Sequence, residues 1–238
     1  ACSDGGVIDI QGNGSSPAVL SGQIADGYLS GARVFLDRNG NQRLDSGEPW
    51  TESGAQGHYS LDVLNDDGDR YPVVAEIIAG QTIDEDQPHQ SVAESYVLTA
   101  PAGQWSFISP LSTLVKGEMD KKPALSLPEA ENIVKMQFGL AGNITLFKDY
   151  VRDADLEYVH RAARIVAGLM GGIQSGIELN VGATYVESHR AAVVLMISDQ
   201  VVNNCETIAQ ALATAKDSSA IDEVLTGIMS EINTFNLD

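Results

Sequence analysis

The chain has 238 residues, of which 43% are hydrophobic, and its formal net charge at pH 7 is −19. This acidity excludes a nucleic-acid partner, because binding to phosphates requires a basic surface, and it favours a hydrated surface that binds cations. The apolar fraction is sufficient for a packed core, and no apolar run approaches the ~18 residues of a membrane span. The only two cysteines, Cys2 and Cys205, lie at opposite ends of the chain, so we expect no structural disulfide.

The amino terminus begins "ACSDGG" and continues into a stretch rich in glycine and serine. An Ala-Cys junction followed by small and polar residues resembles the lipobox cleavage site of bacterial lipoproteins. The resemblance implies that Cys2 is lipidated and that residues 1–18 form a flexible tether. It also implies location in the bacterial cell envelope, at the outer membrane or the periplasmic face, with membrane contact only through this anchor. The alternatives are a secreted protein and an ordinary free thiol at Cys2.

Short apolar runs separated by turn residues fill residues 19–108 and predict strands. The runs are "AVLSGQIA", "ARVFLD", "HYSLDVL", "YPVVAEII", "ESYVLTAP" and "QWSFIS". Six strands at this spacing are typical of a small antiparallel β-sandwich. No strand alternates with a helical pattern, which disfavours a parallel α/β sheet.

After Ser109 the apolar period becomes that of helices. Ser109 is the expected N-cap of the first helix and Pro110 its first residue, and "SLPEAE" repeats the arrangement with Ser126 or Leu127 as the cap. Five helices, or six if the fourth breaks near Asn203–Asn204, predict an α-helical bundle over residues 109–238. The predicted fold class is therefore α+β as two domains, with the boundary near Ser109.

The stretch "DRNGNQRLDSGE" places oxygen-bearing residues at regular intervals in one loop. With Asp37 as position 1, Asn39, Asn41, Asp45 and Glu48 occupy positions 3, 5, 9 and 12, and Arg43 occupies position 7. This resembles the calcium loop of the EF-hand, in which position 7 contributes a backbone carbonyl. Ca²⁺ prefers six to eight hard oxygen ligands, and a terminal Glu can complete the shell with both oxygens. The sequence therefore predicts a calcium site formed by these six residues.

Two features depart from an EF-hand. Position 6 holds Gln42 instead of glycine, and the loop lies between a strand and Pro49 instead of between helices. The wider stretch resembles the calcium-binding B-type modules of bacterial surface proteins, which are transthyretin-like or prealbumin-like sandwiches with a "DxNxNxxxDxGE" loop. The Lys–Asn isopeptide crosslink of some such modules is excluded here, since no lysine precedes Lys116. The alternatives are an acid-rich turn without metal and an ion that only holds the loop together.

Three further features have both a structural and a functional interpretation. The acidic clusters Asp66–Asp69 and Asp84–Asp86 are either solvated turns or a second ion site. Gly168, Gly172 and Gly176 would line one face of a helix, as a helix contact or as a groove for a ligand or partner. Trp50 and Trp105 are either packed residues or a carbohydrate platform.

Catalytic motifs are not evident in the sequence, and we predict no catalytic residue. The four histidines show no paired metal spacing, and no nucleophile motif or nucleotide-binding loop is present. The junction "AP-G…SPL-TL" resembles one in secreted or lipid-anchored bacterial proteins of unassigned function. These resemblances imply a non-enzymatic calcium-binding surface lipoprotein that serves as a binding or structural module with a protein or glycan ligand. The alternative is a carbohydrate-binding component of a glycan-handling system.

Overall fold

Three small sheets are formed by the strands of the computed structural model, which describes residues 16–214, 223 and 225–229. Their orders are β5-β1-β9, β2-β7 and β4-β3-β6-β8. The strands are β1 (Pro17–Ile24), β2 (Leu29–Ser30), β3 (Arg33–Leu36), β4 (Trp50–Glu52), β5 (His58–Leu64), β6 (Val73–Ile77), β7 (Ile83–Asp84), β8 (Tyr96–Ala100) and β9 (Phe107–Ile108). All six predicted strands are present, whereas the short strands β2, β4 and β7 were not predicted.

The pairing is antiparallel throughout these sheets with one exception. Gln23 and Ile24 of β1 lie beside Phe107 and Ile108 of β9 in parallel register. The sequence patterns predicted only antiparallel pairs, because a two-residue strand leaves no periodicity from which its direction can be read.

Helices occupy most of the chain after Ile108. They are α2 (Pro110–Lys121), α3 (Leu127–Gln137), α4 (Glu157–Val181), α5 (Ala183–Ser188), α6 (Arg190–Asn203) and α7 (Cys205–Thr214), preceded by the one-turn α1 (Asp67–Arg70). Residues 225–229 are also helical, and short 3-10 turns cover Ala55–Gly57 and Ala154–Leu156. The mixed α and β composition that was expected is thereby confirmed. No helix among the described residues is long and apolar enough to span a membrane.

The predicted cap of the first long helix is present. The Ser109 hydroxyl accepts a hydrogen bond from the Ser112 amide at 3.1 Å, and the Ser112 hydroxyl accepts one from the Ser109 amide at 2.9 Å. This reciprocal pair satisfies two backbone donors at the helix start, and Pro110 lacks the amide that would otherwise be unpaired. Ser126 is the N-cap of α3, which was one of the two expected alternatives.

The fourth predicted helix is interrupted twice. One break lies at Asn204, as expected, and a second lies at His189, between α5 and α6. At the second break the Ser188 hydroxyl donates to the Tyr185 carbonyl at 3.0 Å. A serine side chain that bonds backward to a carbonyl competes with regular helix hydrogen bonding.

The four-stranded sheet contributes apolar side chains to two clusters, one on each face. Val34, Ala75 and Leu98 belong to the main core, which also contains Leu61 of β5 and Leu111 of α2. On the opposite face the fully or nearly fully buried Phe35, Val74 and Val97 pack with Val194 of α6. The main core continues without interruption from the strands into the helices.

Replacement of Leu111 by alanine tests this shared core. Leu111 is fully buried, so Leu111→Ala is expected to lower the free energy of unfolding by about 2–5 kcal/mol, as for other buried leucines. Urea denaturation measures the change, and Leu179→Ala, at a residue that is 89% exposed, is the matched control. A loss as small as that of the control would contradict the continuous core.

Candidate functional site

The predicted calcium loop connects β3 to β4 at one end of the four-stranded sheet. Asp37 directly follows β3, and Glu48 lies just before β4. The amide of Leu36 donates to the Pro49 carbonyl at 3.1 Å, and the amide of Asp37 donates to the Pro72 carbonyl at 3.1 Å. Backbone hydrogen bonds therefore hold the entrance of the loop against its exit and against the start of β6.

Asp37 organises the first half of the loop. Its side chain is buried, and its two oxygens accept hydrogen bonds from the amides of Gly40, Asn41 and Gln42 at 2.8, 3.2 and 2.9 Å. A carboxylate that accepts several backbone amides bends the chain around itself. The loop thus closes around the residue predicted to be its first ligand.

Three of the predicted ligands converge on one point. The side-chain amides of Asn39 and Asn41 both donate to Asp45 Oδ2, each at 2.7 Å. These bonds, that of Asn39 first, lower the pKa of the Asp45 carboxyl, so this carboxylate remains ionised at neutral pH. The three side chains therefore lie together, with the amide nitrogens of both asparagines turned to Asp45 and their Oδ1 atoms accepting the backbone amides of Asn41 and Arg43.

Glu48 closes the loop from the other side. Its Oε1 accepts the Arg38 amide at 2.7 Å, and its Oε2 accepts the Asp45 amide at 2.9 Å. The carboxylate therefore spans the loop between position 2 and position 9. The last predicted ligand is in place because the backbone, and not a neighbouring side chain, orients it.

The absence of glycine at position 6 does not prevent the sharp turn. Gln42 adopts a left-handed conformation with φ of 58°, and Gly40 does so with φ of 76°. A non-glycine residue in this region is strained by roughly 1–2 kcal/mol. The Asp37 hydrogen bond to the Gln42 amide helps to offset this cost.

Two loop residues connect the site to the helices. Leu44, which was expected to point at the core, packs on the cluster of Phe35, Val74, Val97 and Val194. Arg43 Nε lies 3.2 Å from Glu187 Oε1 of α5. The Arg43 side chain therefore points to the helices, which leaves its carbonyl as the atom that could serve as a ligand.

The chemistry of the loop fits Ca²⁺ better than a transition metal. Counting only His, Cys, Asp and Glu, no three residues in the described part of the chain lie together closely enough to hold a metal. A metal at the loop would therefore depend on the two asparagines and on a backbone carbonyl, which are hard oxygen donors suited to Ca²⁺. The residues present fit that ion, and its binding stays a prediction.

The first of the other acidic clusters is engaged in protein contacts. Asp67 pairs with Arg38 at 2.9 Å, next to the loop, and lies in α1 and not in the turn that was predicted. Trp50 is 58% exposed at the start of β4, whereas Trp105 is partly buried and packs on the main core. The two tryptophans are therefore not equivalent surface residues.

The glycine face of α4 contacts the helical residues 225–229. A Cβ at Gly168 would lie 2.9 Å from Leu225 Cδ1, and a Cβ at Gly172 would lie 2.8 Å from Met229 Cε. Close crossing thus explains these two glycines, in agreement with the structural interpretation. Gly176 lines an open groove of about 780 Å³ that continues along the same face.

The second acidic cluster lies beside a cavity of about 320 Å³ that the sequence patterns did not indicate. Asp26, Asp84, Glu94 and Arg164 are among the residues that line it. Tyr96 donates a hydrogen bond of 2.5 Å to Asp26 Oδ2, while Asp26 Oδ1 has no hydrogen-bond partner among the described residues. Asp26 belongs to an Asp-Gly pair, which is typical of a turn, so its burial could not be expected.

Burial and the nearby charge of Asp84 raise the pKa of Asp26 to about 7. Burial also raises the pKa of Asp84, and it raises that of Glu94. Arg164 Nε lies 3.7 Å and His160 Nε2 lies 3.2 Å from Asp86 Oδ2, at the edge of this cluster. His160, one of the four histidines without paired metal spacing, therefore belongs to the surroundings of the cavity.

Cys205 is a partly buried free thiol, and burial raises its pKa, which disfavours the reactive thiolate. Cys2 lies outside the described residues. The comparisons found no matching family model, no matching curated protein and no matching solved structure.

The Asp26 carboxyl predicts a specific dependence of stability on pH. The pKa of Asp26 in the folded protein is about 7, above its ordinary value of 3.8. Protonated Asp26 therefore makes its full contribution to stability below pH 3.8. This contribution is lost as the pH rises through 7. Asp26→Asn, which stays neutral, should therefore gain stability relative to the wild type across this interval, by an amount on the order of a few kcal/mol.

Urea denaturation at a series of pH values across this interval measures the difference. Asp62→Asn, at an exposed residue of β5, removes the same charge and should leave the pH profile of the wild type unchanged. A profile of Asp26→Asn parallel to that of the wild type would show that Asp26 does not titrate there.

Proposed function

We propose that this protein is a non-enzymatic calcium-binding protein of the bacterial cell envelope, lipid-anchored or secreted, that serves as a binding or structural module. The observation that carries the proposal is the loop of residues 37–48. The side chains of Asn39 and Asn41 both contact Asp45 Oδ2, and Asp37 and Glu48 close the loop from both sides. The loop thus brings together three carboxylates and two asparagine side chains, which are ligand types that Ca²⁺ takes.

The proposed layout is a calcium-binding β-sandwich over residues 19–108 and an α-helical domain over residues 109–238. The burial of alternate residues in β5 supports the first part, because a sandwich strand has one face in the core. The Ser109 cap supports the boundary, since it marks an abrupt change from strand to helix. The shared core implies that the two parts rest against each other and unfold together.

Calcium in this proposal stabilises a surface and does not trigger a movement. The loop joins two strands, so no exit helix is available to swing when the ion binds, as it does in calcium sensors. The loop contacts the helices through Leu44 and through the Arg43–Glu187 pair. An ion there would fix the surface formed by the loop and α5, which suits a role in adhesion, in a matrix or in the envelope.

A carbohydrate-binding component is the alternative function. Trp50 favours it, because an exposed tryptophan two residues beyond Glu48 offers a flat surface for a sugar ring. Trp105 does not join it, since that side chain packs on the main core. A platform with a single aromatic residue has weaker support than the structural role.

Calorimetry of the demetallated protein with Ca²⁺ tests the proposed function. One saturable site is expected, with a dissociation constant of about 10⁻⁴–10⁻³ M as in extracellular modules. Glu48→Gln should weaken binding strongly, because it removes the charge of the ligand expected to bind through both oxygens. Glu52→Gln, at the exposed end of β4, is the matched control and should bind as the wild type does. The absence of binding heat, or equal binding by both variants, would exclude the calcium site.

The lipid anchor is tested on native material from the cell. If Cys2 carries acyl chains, the protein should partition with membranes, and Cys2→Ser should release it into the soluble fraction. Each buried CH₂ contributes about 0.8 kcal/mol, so more than one chain gives stable anchoring. Intact mass measurement provides the second readout. An unmodified thiol at Cys2 would exclude the anchor and leave the calcium site unaffected.

A further inference from the structure

The cavity beside Asp26 has more acidic than basic groups among the described residues of its walls. Its lining contains three carboxylates, from Asp26, Asp84 and Glu94, and one guanidinium, from Arg164. That guanidinium also faces a fourth carboxylate, since Arg164 Nε lies 3.7 Å from Asp86 Oδ2. The guanidinium of Arg164 is therefore shared between Asp86 and the cavity, and among the described lining residues it is the one basic group facing three acidic ones.

Among the lining residues, Asp26 is the one most affected by the shortage of basic groups. The residue is only 5% exposed and lines the cavity, and its Oδ1 has no hydrogen-bond partner among the described residues. A buried carboxylate oxygen without a donor is costly, and native proteins leave few such atoms unexplained. The other oxygen already accepts the Tyr96 hydroxyl. A bound molecule that donates a charge-assisted hydrogen bond to Oδ1 would give both oxygens of Asp26 a donor.

Backbone geometry holds the carboxylates together. Leu29 of β2 pairs with Asp84 of β7, and a Cβ at Gly27 would lie only 2.2 Å from Asp84 Oδ1. Glycine is therefore required at this position for the turn that carries Asp26 to approach β7. Asp84 Oδ1 in turn accepts the Asp86 amide at 2.9 Å. The cluster is thus part of the packed turn and not a set of free surface chains.

The aliphatic character of the remaining walls indicates which class of cation the cavity can bind. Val92, Ala93, Ala167 and Leu225 supply an aliphatic surface, and Gly168 and Gly171 allow Leu225 and Glu94 to lie close against α4. No three His, Cys, Asp or Glu residues in the described part of the chain are arranged to hold a metal. An aliphatic wall opposite a carboxylate suits an alkyl chain that ends in an ammonium group.

We propose that this cavity binds a small aliphatic amine in its ammonium form, with Asp26 as the principal acceptor and Asp84 and Glu94 as the supporting charges. The amine donates to Asp26 Oδ1, and its alkyl chain lies on the aliphatic wall. The groove that includes Gly172 and Gly176 shares Glu94, Gly168 and Leu225 with the cavity and provides room for a second ammonium group. This site is independent of the calcium loop and of the proposed function.

The test is a titration with 1,4-diaminobutane, followed by the amide chemical shifts of the full-length protein at constant ionic strength. Saturable shifts are expected at Gly168, Gly171 and the residues around Asp26. The neutral 1,4-butanediol has the same length and should produce none. Asp26→Asn should weaken binding by roughly 30-fold or more, because it removes one partner of a buried charge pair. Glu94→Gln should weaken it by a smaller factor.

The control variant is Asp62→Asn, which lowers the net negative charge equally at an exposed position and should bind the diamine as the wild type does. Far-UV circular dichroism verifies that Asp26→Asn is folded, and Glu94→Gln provides the same test if it is not. The proposal is overturned if the diamine produces no saturable shift at millimolar concentration, or if the diol binds equally well. It is also overturned if Asp26→Asn and Glu94→Gln both bind as Asp62→Asn does.

A metal occupant is distinguished by competition. In the Glu48→Gln variant, whose loop is expected to bind Ca²⁺ weakly, CaCl₂ should not displace the diamine beyond the effect of ionic strength. Displacement by stoichiometric Ca²⁺ would identify the cavity as a metal site and would overturn the assignment to an amine.

Discussion

Burial of both faces of the four-stranded sheet is the constraint on which the rest of the structure depends. Every residue of β6 and β8 is buried, so each face needs an apolar layer of its own. The main core supplies one layer, and Val194 of α6 contributes to the other. Glu76 lies within this buried region and pairs with Arg33 and with Arg190. The helix α6 therefore contributes both apolar surface to this face and one of the two charges that compensate the buried carboxylate of Glu76.

The loop that resembles a calcium site belongs to the same arrangement. Leu44 packs beside Val194, and Arg43 pairs with Glu187, which also pairs with Arg190. A chain of alternating charges therefore extends from the loop through α5 and α6 to Glu76 in the sheet. The position of the loop depends on helices that lie far along the sequence. The local hydrogen bonds around Asp37, by contrast, depend only on residues within the loop itself.

The difference between local contacts and contacts with distant segments explains which features could be predicted from the sequence. The Ser109 cap, the six predicted strands and the order of oxygen-bearing residues in the loop are local patterns, and the structure contains each of them. The break at His189 and the strands β2, β4 and β7 left no pattern of sufficient length. The approach of Asp26 to Asp84 depends on pairing between distant segments. The excess of acid in this cavity is therefore a property of the fold, which no stretch of the sequence displays.

The parallel pair of β1 and β9 has a consequence for the order in which the chain can fold. Among the described residues β1 is the first strand and β9 the last, so the three-stranded sheet stays incomplete until residues 107–108 have been synthesised. Contacts between segments so distant in sequence slow folding, because the entropy of loop closure opposes them before they form. Pro110, at the start of α2, follows β9 after a single residue. The segment that completes the sheet is therefore followed almost directly in the chain by the segment that begins the first long helix. The three-stranded sheet can be completed only when synthesis has come within two residues of that helix.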